Sequence, residues 1–517
     1  MMLVTDLIPN NIAKYGEYPC IYYQDREITN MEVDKAAREL AFFLHSMGIK
    51  KGDCVLVSMS NCPEVIYSYQ AILRLGAIVI PVMHLLNENE FTFILEHSEA
   101  KAVITTSDVF SKIHSASARL SGELKVICMD QLPSEIPHTN MEVTDWQKGK
   151  LQISENRIQE IYCDIHETDL AVILYTSGTT GRPKGVMLTH RNLSANVIAR
   201  TSFTDGKRGT MLGVLPLAHV YGFSAMNALF HLGNAVVIFQ KFDVVKIFEA
   251  IEKYQIKSCS LVPAMIHEMV SSPFASHYDL SSLEAIESGS TSLPASLREE
   301  VRKKFQAEIY DAYGLSEASP SVSRQRKDIP IKEGSVGLPL PGLQIKIVDQ
   351  NGVELPTGQI GELIVKGDNI TPGYYKNEEA TKEAIKDGWL FTGDMAKVDE
   401  DGYLYIVGRK KELIIRGGFN IYPRDLEELL LKHEEVFEAA VIGVPSERMG
   451  EEVIACVIKK TSSTLSEDDL ISYCQTHLAK YKTPRRIVFL NELPKNKIGK
   501  ILKLKLKEIY SHIDVLT

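Results

Sequence analysis

Short apolar runs alternate with helical patterns through the first half of this chain. Asp53–Ser58, Ala77–Val82 and Ala102–Thr105 read as strands within residues 1 to about 170. A second set follows near Met211–Pro216, Ala235–Phe239 and Ser258–Val262. Such alternation predicts mainly parallel sheets with crossover helices. Two α/β halves packed together leave a crevice between them. From about Ile331 the pattern changes to glycines and short alternating strands (GLQIKIVD, GELIVKG, GYLYIVG), with Asp399-Glu400-Asp401-Gly402 as a hairpin turn. This predicts a small β-rich subdomain. After Arg409-Lys410-Lys411 the pattern is α+β. Pro423 opens a helix with Leu426, Leu429 and Leu430 on one face, and Ser466-x-x-Asp469 caps another. Strands at Ala439–Val444, Val453–Ile458 and Arg486–Leu490 complete the terminal unit. The expected class is a multidomain α/β protein. Residues 1–409 form a large unit of two α/β subdomains with a small β-rich one, and residues 410–517 form an α+β unit.

Composition narrows the function classes. The 517 residues correspond to about three domain-sized units and can bury large cores. A net charge of −10 opposes nucleic acid as the main partner, whose footprint is basic, so an anionic substrate must meet local positive groups. Eight cysteines at positions 20, 54, 62, 128, 163, 259, 456 and 474 form no CxxC pair, which disfavours zinc or a disulfide framework. The segment MMLVTDLIPNN has no basic region before an apolar core, so no secretory signal is read. Ile72–Met83, the most apolar stretch, is interrupted by Arg74 and is too short to span a bilayer. A cytoplasmic protein without a transmembrane segment is expected, and a homodimer stays open.

Residues Tyr175–Gly185 read YTSGTTGRPKG. Gly178, Gly181 and Gly185 allow tight turns that present backbone N–H groups, while Thr176, Ser177, Thr179 and Thr180 add hydroxyl donors. Lys184 supplies a point charge for a polyphosphate. Pro183 before the lysine and Gly185 after it exclude the usual nucleoside-triphosphatase loop, which needs a Ser or Thr for magnesium. A stretch of this composition is either a flexible turn or a phosphate cradle. The apolar run Leu170–Leu174 favours the cradle, because it reads as a buried strand delivering a loop at its carboxyl end.

Four further motifs occur around and beyond this loop: LPLAHVYG at Leu215–Gly222, YGLSE at Tyr313–Glu317, WLFTGD at Trp389–Asp394 and PKNKIGK at Pro494–Lys500. Together the set resembles the ATP-dependent acyl-adenylate-forming superfamily over essentially the whole chain, and is most similar to its bacterial medium- and long-chain fatty acyl-CoA synthetases. The resemblance implies ATP, Mg²⁺ and coenzyme A as cofactors. It assigns Asp311, Ala312, Tyr313, Gly314 and Ser316 to the nucleotide, with Tyr313 against adenine. Glu317 would hold the metal, as a hard oxygen ligand. Asp394 and Arg409 would meet the ribose, Lys500 would bridge the carboxylate and the α-phosphate, and His219 would border the carboxylate. Ser316 stands where the family usually has Thr, and Ala218 where it often has an aromatic residue.

The implied chemistry is activation of a carboxylate as acyl-AMP with release of pyrophosphate, followed by transfer to a thiol. The terminal unit is implied to be mobile, turning about a hinge at Lys411 so that Arg416, Gly417 and Gly418 come to line a coenzyme A tunnel. Val220 replaces the Asp by which peptide-synthetase members bind an α-ammonium, so an acid without an amino group is expected. The acyl pocket is expected at Phe223, Pro263–Met265 and Ser288–Thr291, including Gly289 and Ser290, which are mostly apolar or small. A medium- or long-chain fatty acid is the first expectation, with an aryl acid of the coumarate type or a carrier-protein-loading acyl-AMP ligase as alternatives. The basic tail Ile501–Tyr510 reads as a solvated terminal element in preference to a lipid contact.

Overall fold

The computed structural model describes residues 2–120, 122–132, 141–150, 163–176, 183–204, 206–289, 293, 295–461, 463–495 and 501–511. The first set of predicted strands lies side by side and parallel, as Ile78–Pro81, Cys54–Ser58 and Ala102–Thr105. Leu170–Thr176 joins parallel to Ile78–Pro81, and Lys184–Thr189 returns antiparallel beside it. The YTSGTTGRPKG segment therefore joins two antiparallel strands, not a strand and a helix. The resulting eight-stranded sheet ends on the two-residue strand Gly373–Tyr374.

The second set builds a nine-stranded sheet in which Thr210–Gly213, Ser258–Leu261, Ala285–Ser288 and Glu308–Gly314 run parallel. The run predicted over Met211–Pro216 stops as a strand at Gly213. Beyond it the chain turns under the helix Val220–Leu232, where Gly222 has no room for a side chain. A Cβ there would come 2.2 Å from the Pro216 carbonyl. Helix starts follow their local signals. Thr29, Asn87, Thr189 and Ser466 form reciprocal caps with Glu32, Glu90, Asn192 and Asp469. Pro63, Pro263 and Pro423 open their helices.

Strand alternation divides the core. Val55 and Val57 face a cluster that also holds Phe223, Phe230, Val236 and Ile238, so one continuous core joins the two sheets through the helices between them. Cys54 and Leu56 face the outer helices Glu88–Ser98 and Phe110–Ser117. The far face of the nine-stranded sheet packs on Val244–Tyr254, Pro263–Ser271 and Ala295–Phe305.

A five-stranded antiparallel sheet follows, with Asp399–Gly402 turning the chain between Trp389–Val398 and Leu404–Arg409. Residues after Glu412 build the last sheet around the long pair Val436–Ser446 and Gly450–Lys459, with Arg486–Phe489 parallel at its edge. The predicted strand Ala439–Val444 is thus the middle of an 11-residue strand. The tail differs from its solvated reading. Lys503–Tyr510 is a helix with Leu506 buried, and Lys503 bridges Glu412 (3.1 Å) and Glu427 (2.7 Å) while Lys507 pairs with Glu451 (2.7 Å). Lys503 and Lys507, one turn apart, make the ion pairs, while Leu506 is buried and Leu504 stays exposed.

Candidate active site

Thr176 ends its strand opposite Lys184. Ser177, Gly178, Thr179, Thr180 and Gly181 lie outside the described residues. The Lys184 ammonium stands 5.0 Å from the centre of the Tyr374 ring, and the Tyr374 hydroxyl donates to Glu317 Oε1 at 2.8 Å. Backbone pairing fixes this trio. Tyr374 sits opposite Val186, Tyr375 N donates to the Gly185 carbonyl (2.8 Å), and Thr371 N donates to the Glu317 carbonyl (2.8 Å). Burial, and then the Glu317 carboxylate, push the Tyr374 hydroxyl far above its usual range, so it stays a donor.

Tyr374 was not foreseen from the sequence. Its strand is two residues long and its partners lie far away in the chain, so only the bare TPGYY string marks it.

Asp311, Ala312, Tyr313 and Gly314 form the end of the strand Glu308–Gly314, and Ser316 and Glu317 form a single 3₁₀ turn after it. Gly314 must be glycine, since a Cβ would lie 2.4 Å from the Pro320 carbonyl. The Tyr313 hydroxyl donates to Asp394 Oδ2 at 2.5 Å, and Arg409 Nε approaches Asp394 Oδ1 at 3.5 Å. Asp394 and Arg409 face each other directly across their strand pair. Asp311 has a different setting: its carboxylate is bound by Arg298, and burial raises it to about 6 despite Arg298 and Arg424.

His219 caps the helix Val220–Leu232, with Nδ1 accepting from Tyr221 N at 3.3 Å. Gly289 opens toward this helix, where a Cβ would lie 3.0 Å from the Tyr221 ring. The other described acyl-pocket candidates are not gathered there. Phe223 is closed in the core with its ring 5.3 Å from Tyr69. Met265, on the helix that Pro263 opens, packs against the opposite face of the sheet. Ser288 lies two residues from Ile286 on its strand, which puts it on that same opposite face. Ser290 is outside the described residues.

In the terminal unit, Gly417 (φ 57°) and Gly418 (φ 83°) form the two-residue loop of the hairpin Ile414–Arg416 and Phe419–Ile421. Positive φ at both positions is what a tight primed turn needs. Arg416 points inward, pairing with Glu452 (2.7 Å) and donating to the Tyr481 and Thr483 carbonyls (3.0 Å each). Lys411 lies in the short turn Lys410–Glu412 that leads into this unit. Lys500 lies outside the described residues.

The Glu317 carboxylate forms no ion pair among the described residues, and those residues hold no cluster of three or more His, Cys, Asp or Glu. One open carboxylate fits Mg²⁺, which is held by one or two carboxylates together with substrate phosphates. The donors around Asp394 and the lysine over Tyr374 come from three different sheets and form a candidate polar site.

A sequence model of AMP-binding enzymes matches residues 8–375, and a model of their C-terminal domain matches residues 425–500. The chain belongs to the AMP-binding enzyme family, as an AMP-forming acyl-CoA synthetase. It is 35% identical to a long-chain-fatty-acid–CoA ligase of Bacillus subtilis, over 97% of this chain and 93% of that protein. It is 34% identical to 4-coumarate–CoA ligase 1 of Solanum tuberosum, over 96% and 92%. Among solved structures, ATP-bound MatB from Rhodopseudomonas palustris aligns with a TM-score of 0.88 at 29% identity, over 99% of this chain and all of that one. O-succinylbenzoate coenzyme A synthetase from Bacillus subtilis, in complex with ATP and magnesium, aligns with a TM-score of 0.82 at 28% identity, over 97% and 99%. No described helix is long and apolar enough to cross a membrane.

Proposed function

We propose that this enzyme activates a medium- or long-chain fatty acid as its acyl-adenylate and transfers the acyl group to coenzyme A. The observation that carries this reading is the Lys184–Tyr374–Glu317 trio, joined by the turn after Gly314 to the Tyr313–Asp394–Arg409 cluster. The second cluster suits a ribose, since Asp394 offers acceptor oxygens to hydroxyls while Tyr313 and Arg409 fix its position. The first suits a polyphosphate, with Lys184 for charge and Glu317 for Mg²⁺, which when bound would neutralise phosphate charge and pyrophosphate leaving. Lys500 is assigned to hold the carboxylate oxygen and the α-phosphate together. His219, capping the helix whose Tyr221 meets Gly289, is assigned to border the reacting carboxylate.

Residues 1–409 act in this reading as the adenylating unit and residues 410–517 as a unit turning at Lys411 between the two half-reactions. Gly417 and Gly418 would face the pantetheine arm in the second. Eight unpaired cysteines accord with a cytoplasmic setting. An aryl acid is the second reading, favoured by the Tyr221 ring beside Gly289 and by the likeness to coumarate ligases.

The test is pyrophosphate release with ATP and Mg²⁺ across fatty and aryl acids, each with and without coenzyme A, in the wild type and in Lys500→Ala. Release that depends on a fatty acid, rises with coenzyme A and is lost in Lys500→Ala is the expected result. Adenylate formation without coenzyme A turnover moves the acceptor to a carrier protein. Unchanged release in Lys500→Ala removes that residue's role.

A further inference from the structure

The space beneath Gly289 is closed by charge. The Tyr221 ring lies directly under the glycine, its hydroxyl 3.5 Å from the Glu287 carbonyl. Glu287 and Gly289 alternate with Ser288 along the strand, so the Glu287 side chain and Gly289 share the face that meets the helix Val220–Leu232. On that face the Glu287 carboxylate accepts from Arg200 at 2.7 Å and from the Ser260 hydroxyl at 2.9 Å, with Arg324 at 3.6 Å. The Arg200 side chain is 5% exposed, and its guanidinium stands 5.8 Å from the Tyr221 ring centre. Burial alone would raise the Glu287 carboxyl, but the two arginines and Ser260 more than offset it and hold it at about 2. The group is an ion in the folded protein.

Behind this cluster is a second hollow. A cavity of about 450 Å³, lined by Arg200 and Arg324 with Phe203 and Tyr310, opens on the far side of the same arginines. The ion cluster thus stands between that cavity and the Tyr221 ring beneath Gly289. A separate apolar seam of about 40 Å³ runs along Gly222, Ala225 and Met226 and also reaches Ser260. At ~10–15 Å³ for each water-sized group, that seam takes on the order of three such groups.

We propose that Tyr221 and the Glu287–Arg200–Arg324 cluster end the acyl site and restrict the substrate to medium and shorter chains. This inference rests on the fatty acid–CoA ligase reading and narrows it. A long alkyl chain has two ways onward. It can press its terminal methylenes on ions that are already paired and offer it nothing, or it can part them and leave unpaired charges in a buried place. Both penalise the long chain in the transition state, while a chain short enough to stop before the ions is spared both costs.

The experiment is the specificity constant for pyrophosphate release with butyrate, octanoate and palmitate. It is measured in the wild type, in the double variant Arg200→Leu/Glu287→Met, and in Tyr221→Ala. The double variant removes both halves of the ion pair, a change that buried pairs often tolerate. Arg324 keeps the Arg200 backbone carbonyl as acceptor at 3.3 Å. Tyr221→Ala opens the floor and keeps the Arg200–Glu287 pair, losing the ring contact with Arg200 and the bond to the Glu287 carbonyl, and circular dichroism confirms that each variant is folded.

The wild type is expected to favour octanoate over palmitate by about tenfold or more, and at least one folded variant to recover palmitate by a similar factor. Equal use of palmitate and octanoate by the wild type overturns the proposal and leaves the ligase reading intact. So does an unchanged selectivity in both folded variants. Absence of release with every acid overturns the ligase reading and this inference with it.

Discussion

Tyr374→Phe isolates one hydrogen bond in the phosphate half of the site. The variant keeps the ring, so the Lys184 ammonium retains a face to stand over, a contact of about 0.5–1 kcal/mol at an exposed site. It deletes the hydroxyl that donates to Glu317 Oε1 at 2.8 Å. Hydrogen bonds to charged groups contribute about 1.5–3 kcal/mol, and Tyr374 is only half-buried, so the lower end applies. A loss of about 1.5 kcal/mol corresponds to roughly tenfold in rate if it falls on the adenylation step. The same loss lets the carboxylate swing, so the Mg²⁺ concentration for half-maximal rate should rise. The assay is pyrophosphate release against Mg²⁺ at saturating ATP and acid, with a melting curve for each protein. An unchanged rate and Mg²⁺ titration would refute the reasoning, because Glu317 would then be neither the metal's carboxylate nor positioned by Tyr374. A fall in melting temperature without a change in the titration would assign Tyr374 to stability alone.

Asp394→Ala removes the acceptor shared by Tyr313 and Arg409 and should raise the KM for ATP about tenfold or more with less change in kcat, as steady-state kinetics would show. Gly417→Ala places a side chain at φ 57°, at a strain of about 1 kcal/mol, and its Cβ would lie 2.7 Å from the end of Met449. Adenylation should persist in that variant while thioester formation falls, which separate assays of the two half-reactions resolve. Glu287 is held at about 2 against an ordinary 4.5, which contributes on the order of 3 kcal/mol to folding. That contribution is fully present above pH 4.5 and is lost as pH falls through about 2. Acid unfolding followed by circular dichroism should show Glu287→Gln less stable near neutrality, with the difference closing in acid.

The strands and helix starts of this fold were legible because their signals are local. Cys54–Ser58 and Ala102–Thr105 are buried along their whole length, and a continuous apolar run is what a strand covered on both faces requires. Ser466 and Asp469 announce their helix because the cap uses residues three apart in the chain. The antiparallel return Lys184–Thr189 was not expected, and from it follows the place of Tyr374, which no short-range rule reaches. Lysines in the tail were read as a solvated run because a sequence shows charges without their partners. Glu412, Glu427 and Glu451 lie at least 56 positions from the lysines that bind them.

The two ends of the site differed for a physical reason. Around the nucleotide the residue types are themselves the chemistry. A turn glycine such as Gly314, a carboxylate such as Asp394 and a cation such as Arg409 are named by identity alone, and the fold brings Asp394 and Arg409 face to face beside Tyr313. Around the acyl chain the chemistry is shape, and apolar residues that line a channel have the same composition as those that fill a core. Phe223 and Met265 are both apolar, and the fold closes Phe223 into the core and leaves Met265 partly buried on the opposite face of the sheet. The polar residues of that region inform more. A carboxylate between small residues in AIESGS has no reason to lie inside a sheet unless something pairs it, and Arg200 does. An isolated charge on an otherwise apolar strand is therefore where a channel's end is best sought, since an ion held in place by its partners stops an alkyl chain more sharply than a wall of side chains that can repack.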